Sequence, residues 1–228
     1  MDGTVPRARW GVYVGLLLIT LATLTYQMLL TRIFSVTMWY HFSFLAISVT
    51  MFGMTVGAIL VYLRPAWFEA AVADQRMGLA ALAFSVLIVV SFLTHLSIPF
   101  IVRPSLVHIW AVAVQYVVLS LPFVASGIAV TVALTRFPGQ IGRLYAVDLI
   151  GAGLGCLVVA LALSWIDAPT LVIDVSALAS AGAVFALVGT PARGLRRLSL
   201  AATLVLVALS VASNVMAIRQ TPLIRPVW

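Results

Sequence analysis

The sequence predicts an all-α fold, a polytopic bundle of seven membrane-spanning helices, and three observations predict it. The 228 residues are 64% hydrophobic and 8% charged, with a mean hydropathy of +1.19, whereas a soluble domain is about half apolar and a quarter charged. The apolar residues fall into runs close to the ~20 residues that carry a helix across ~30 Å of hydrocarbon. The runs lack the alternation of a barrel strand, and an open sheet would leave backbone groups unpaired in lipid, so the runs are read as helices. A water-soluble globule is excluded, and the chain is one transmembrane helical domain over 1–228.

The expected spans are Trp10 to Ile33, Tyr40 to Leu63, Gly78 to Ile101, Leu106 to Thr135, Leu144 to Ile166, Thr170 to Val188 and Arg197 to Ile218. The first follows a short basic start with Pro6, Arg7 and Arg9. It is far longer than the apolar core of a signal peptide and ends without a small-residue cleavage pattern, so it reads as a retained helix. The fourth run is longer than one crossing needs and holds Pro122 in its middle. Two short helices would make eight spans, but no polar turn separates the halves, and one tilted, kinked helix fits better. The connections are short and rich in Pro and Gly. The longest, Arg64 to Met77, sets Trp67, Phe68, Ala70, Ala71 and Val72 against Glu69, Asp74 and Arg76, which suits either a short amphipathic helix in the interface or an ordinary loop.

The net charge of +7 comes from thirteen Arg, no Lys and six acids. These Arg sit between apolar runs, where they orient the protein and meet anionic headgroups, so nucleic acid is not an expected partner and membrane lipid is. Nine lie on one side: Arg7, Arg9, Arg64, Arg76, Arg136, Arg143, Arg193, Arg196 and Arg197. The other side has Arg32, Arg103, Arg219 and Arg225. The positive-inside rule then puts the amino terminus in the cytoplasm and, after seven spans, the carboxyl terminus outside, with a bacterial inner (plasma) membrane as the expected location. Cys156 is the single cysteine and lies within an apolar run, so neither an intrachain disulfide nor a Cys-based metal site is expected.

Three small-xxx-small pairs, Gly11 with Gly15, Gly53 with Gly57 and Gly151 with Gly155, let helix backbones approach closely where the hydrophobic effect no longer drives association. Packing inside the chain is the plainer use of them, and self-association the alternative. Gly151-Ala152-Gly153-Leu154-Gly155 is not a nucleotide fingerprint, because no strand precedes it and no βαβ unit surrounds it.

Ionisable groups inside a bilayer cost about 2.5–3.5 kcal/mol on insertion scales, so each asks for a partner or a wet cavity. Because successive helices reverse direction, Gln27, Arg32, His41, His95, His108, Gln115 and Asp174 all fall in the leaflet half on the carboxyl-terminal side. Tyr26, Tyr40 and Tyr116 fall there too. One reading is a polar cavity formed by Gln27, Arg32, His41, His95, Gln115 and Asp174, with Arg32 paired to Asp174 and the other groups facing a small-molecule ligand or a partner. The plainer reading is that Arg32 and His41 snorkel to headgroups and a neighbouring helix satisfies Asp174. Asp148 lies on the opposite side near Tyr145 and Arg143, where it could pair with Arg143 or Arg136 or favour the start of its helix through the dipole. No nucleophile–base set, paired carboxylates, metal-ligand spacing or phosphate loop is present, so neither a metal nor a cofactor is expected.

Two blocks resemble the transmembrane part of the membrane-embedded spermidine synthase-like family. The first is Tyr26-Gln27-Met28-Leu29-Leu30-Thr31-Arg32, followed by Tyr40-His41-Phe42-Ser43-Phe44-Leu45-Ala46-Ile47-Ser48 with Gly53 and Gly57. The second is Leu121-Pro122, Gly127 and the run Gly142 to Gly155 that contains Arg143, Tyr145 and Asp148. Many relatives carry Glu at the position of Gln27 and Asn at that of Asp148. The resemblance implies a helical bundle that, in the family, precedes a Rossmann-type transferase domain using S-adenosylmethionine or its decarboxylated form. Only ten residues follow Ile218, so the chain alone is not expected to be an aminopropyltransferase or methyltransferase. The expected role is a non-catalytic membrane subunit or anchor for another chain, or a homo-oligomer. The alternatives are a small-solute transporter and the membrane half of a heteromeric SAM-dependent transferase.

Overall fold

A computed structural model describes residues 7–37, 43–98 and 106–218, with the side chains of 107, 108, 217 and 218 outside that description. Seven helices, each long and apolar enough to cross a membrane, account for nearly all of it. They are α1 (Trp10–Thr37), α2 (Ser43–Leu63), α3 (Ala73–Ser97), α4 (Leu106–Arg136), α5 (Ile141–Ala162), α6 (Ala168–Ala186) and α7 (Arg193–Ile218). Among the described residues there is no strand. Helix α4 runs unbroken through Pro122, so the fourth run is one helix and the spans number seven. Proline there withholds one N–H from the ladder but does not end it.

Three boundaries differ from expectation for local reasons. Segment 64–72 forms no amphipathic helix: Pro65–Phe68 and Ala70–Val72 are two 3-10 turns separated by Glu69 in an extended conformation. Helix α3 therefore starts at Ala73, ahead of Gly78. The Arg64 guanidinium lies 5.0 Å from the centre of the exposed Trp67 ring. Helix α6 starts at Ala168 because the Asp167 side chain caps it, accepting from the Thr170 backbone N–H at 3.2 Å. Pro169 stands in the first turn, where its missing N–H would have no helical partner anyway. Helix α7 begins at Arg193, so Arg193, Arg196 and Arg197 occupy its first turns.

Helices α1, α3, α4 and α6 form the interior, with α2 laid on α4, α5 on α1 and α7 on α6. The glycine pairs set these contacts and their direction. A Cβ at Gly53 would stand 2.6 Å from the Ser120 carbonyl oxygen, and one at Gly57 would collide with that of Val124, so α2 and α4 run parallel. Gly151 lies against Leu17 and Thr20, and Gly155 against Leu21 and Thr25, so α5 runs parallel to α1. Gly11 against Phe185 and Gly15 against Gly182 make α6 antiparallel to α1. All three pairs thus serve packing within the chain. The amino-terminal end is tied down as well, with Ala8 N–H donating to Gln140 Oε1 at 2.7 Å and Arg9 donating to the Gly189 carbonyl. Gly189 has φ +78°, a turn conformation that favours glycine.

Gly153 points away from every neighbour, with nothing within 4 Å of an added Cβ. Gly57→Leu and Gly155→Leu are expected to lower the stability of the detergent-solubilised protein by about 1–3 kcal/mol or more through overpacking, whereas Gly153→Leu leaves it unchanged. Thermal melts of the three variants check this directly.

Candidate functional site

Of the residues expected to form one polar cavity, the described ones, Gln27, Arg32, His95, Gln115 and Asp174, stand in separate places. The innermost set is His95 with Gln115. His95 is buried on α3, and Gln115 on α4 donates Nε2–H to His95 Nδ1 at 2.6 Å. Because that amide nitrogen can only donate, Nδ1 must accept and the neutral ring carries its proton on Nε2. There His95 donates to Thr37 Oγ1 on α1 at 3.3 Å. The Phe34 ring covers the imidazole at 5.2 Å between centroids. Three helices are joined through one side chain.

Asp174 lies elsewhere, in the seam between α6 and α7. Its Oδ1 accepts from Ser210 Oγ at 2.6 Å and from Asn214 Nδ2 at 3.2 Å. The expected pair with Arg32 is not formed: Arg32 is exposed on α1, its backbone carbonyl accepts from Ser35 Oγ at 2.7 Å, and its guanidinium makes neither an ion pair nor a hydrogen bond among the described residues. The reason is local, since two donors on the facing helix satisfy the carboxylate without bringing a guanidinium into the bundle. Arg32 instead borders two open clefts. One, of about 370 Å³, lies between α1 and α5 beside Met28, Cys156 and Ser164. The other, of about 170 Å³, lies between α1, α3 and the start of α6, beside Thr37, Phe92 and Pro169.

Gln27 is half-buried, and its backbone carbonyl accepts from Thr31 Oγ1 at 3.0 Å. His41 lies outside the described residues, as does the His108 side chain. Tyr116 OH is 3.3 Å from Ser48 Oγ. At the opposite end, Tyr145 is exposed on α5. Asp148 is half-buried on the stripe that carries Leu144, Gly151 and Gly155 toward α1, and it pairs with neither Arg143 nor Arg136 among the described residues. No three metal-ligating side chains come together among the described residues.

Sequence reasoning missed the hydroxyl pairs that hold the interior. Tyr26 OH meets Ser91 Oγ at 3.0 Å, Thr23 Oγ1 meets Ser126 Oγ at 2.5 Å, and Ser176 Oγ donates to the Ser85 carbonyl at 2.7 Å. Along α7, Thr203 bonds Ser180 and Ser213 bonds Thr170, both at 2.8 Å. With Ser210 and Asn214 these form a polar stripe on one face of an otherwise oily helix, the one signal in the sequence that could have named the partner of Asp174.

What this arrangement can do chemically is join helices: Tyr26, Thr23, His95, Gln115, Ser176 and Asp174 bond to groups on another span, while Thr50, Ser85 and Ser120 bond back to their own helix. A double-mutant cycle on His95→Ala and Gln115→Ala should return a coupling of about 0.6–1.7 kcal/mol, the range of interhelical hydrogen bonds in membranes. Asp174→Asn keeps an Oδ1 acceptor and should melt like the parent protein. Asp174→Leu strands the Ser210 and Asn214 donors and should loosen α7, read as faster proteolysis after residue 186. Comparison with family models, with curated proteins and with solved structures gave no match for this chain.

Proposed function

We propose that the chain is a non-catalytic multi-pass membrane subunit that anchors another chain, similar to the membrane half of the spermidine synthase-like proteins. The observation that supports this is the use of the polar side chains. His95, Gln115, Tyr26, Ser91 and Asp174 bond to partners on other helices, whereas a solute path needs groups that converge on one wet space. Arg32, Asp174 and the His95–Gln115 pair stand in three places rather than around one cavity. Helices α5 and α7 keep most of their surface outside the bundle, and on α5 this includes Gly142 and Gly153, beside which an added Cβ would meet nothing. Small residues facing outward from a span allow a second helix to come close.

Purification from native membranes without crosslinker should bring down a second polypeptide in constant ratio, identified by mass spectrometry. Recovery of this chain always alone overturns the proposal. If the companion binds S-adenosylmethionine, the pair is a heteromeric transferase with its soluble half on a separate chain.

A further inference from the structure

The arginine-rich end of the bundle carries a cleft of about 720 Å³ between the carboxyl-terminal ends of α2 and α4. Its walls are Ala58, Val61, Leu63 and Pro65, and Thr131, Thr135 and Arg136 line the α4 side. Arg136 is half-buried, and its Nε is shielded from solvent with no hydrogen-bond partner. No carboxylate pairs with Arg136 and no carbonyl accepts from it among the described residues. A shielded guanidinium N–H left without an acceptor is unfavourable, so a ligand that supplies an oxygen there is favoured. Tyr62 borders the same cleft, and Thr131 and Thr135 line it on the α4 side with Arg136. Arg64, at the end of α2, adds a second cation at this end of the same helix pair.

We infer that this cleft is a binding site for an anionic phospholipid, with the headgroup phosphate on Arg136 and an acyl chain along Ala58, Val61 and Leu63. The geometry favours lipid over a soluble phosphate for two reasons. The cation stands at the end of spans long enough to cross a membrane, where headgroups lie. The α2 wall, Ala58, Val61 and Leu63, is aliphatic, which suits an acyl chain and has no counterpart in a free phosphate. A planar guanidinium matches two phosphate oxygens at once.

The experiment is lipid binding by the delipidated, detergent-purified full chain, followed by native mass spectrometry and by melting temperature. Phosphatidylglycerol is expected to be retained and to raise the melting temperature more than phosphatidylcholine does. R136Q should weaken phosphatidylglycerol retention about fivefold, the factor for one cation at an anionic surface, R136K should weaken it less, and R32Q, at the other end, should leave it unchanged. Equal retention by R136Q and the parent overturns the inference. Equal protection by soluble glycerol phosphate also overturns it, because the ligand would then be a free phosphate. If R136Q does not fold, A58F decides, since it fills the cleft without touching charge: loss of the phosphatidylglycerol preference supports the site, and its survival rejects it.

Discussion

Seven apolar helices surrounded by apolar lipid gain little from burying oily surface against one another, so contact between backbones has to hold them together. In this chain that contact is made at glycine. At Gly57, Gly151 and Gly155 the neighbouring helix comes so close that even a methyl group would meet its carbonyl oxygens. Dispersion forces fall off steeply with separation, and removing the side chain is what lets whole helix faces reach contact distance. Every other feature of the interior follows from that spacing. Hydroxyls as short as those of Thr23 and Ser126 span a helix interface only when the axes are near. The stacked rings of Tyr26 and Phe123, with centroids 5.5 Å apart, pack α1 against α4 in the same interior.

Polar side chains are the second device, and they divide into two kinds by position. In the middle of the bundle they are small and paired, as with Tyr26 and Ser91 or Ser176 and the Ser85 carbonyl. At the outer seam the long face of α7 carries a ladder of Ser, Thr and Asn matched to Thr170, Asp174 and Ser180 on α6. Helix α7 has no glycine pair against α6, and hydrogen bonds take over the part that close backbones play elsewhere. Such bonds are individually modest in membranes, so an outer helix held this way is less firmly attached than α5, which locks onto α1 through Gly151 and Gly155.

The fold was legible because hydropathy is a property of contiguous residues: length and oiliness alone locate the spans, and the glycine pairs mark which faces pack. The start of α6 was also written locally, in Asp167 three residues before Thr170 with Pro169 between, although the proline reads more readily as loop punctuation than as a first turn. The identity of neighbours was not legible. Position along a span gives depth, which is what gathers His95, Gln115, Arg32 and Asp174 into one expected group, but it says nothing about direction around the helix axis. Hence the attraction of pairing the one acid with the one nearby base, Asp174 with Arg32, when the acid in fact faces hydroxyl and amide donors on α7. Segment 64–72 left a helix and a loop both open for a related reason, because its mix of oily and charged residues suits a helix while Pro65 and the extended Glu69 divide it into two turns.

Helix α1 leaves the ribosome before α2 to α6, yet its two glycine-matched partners, α5 and α6, are separated from it by more than a hundred residues of chain. During synthesis the small-residue faces of α1 therefore stand open while α2, α3 and α4 enter the membrane, and α2 and α4 can already clasp each other through Gly53 and Gly57. The bundle is thus assembled from an earlier set of helices before α1 acquires these two partners. Interruption of translation before the sixth segment would leave the α1 face that carries Gly11 and Gly15 uncovered.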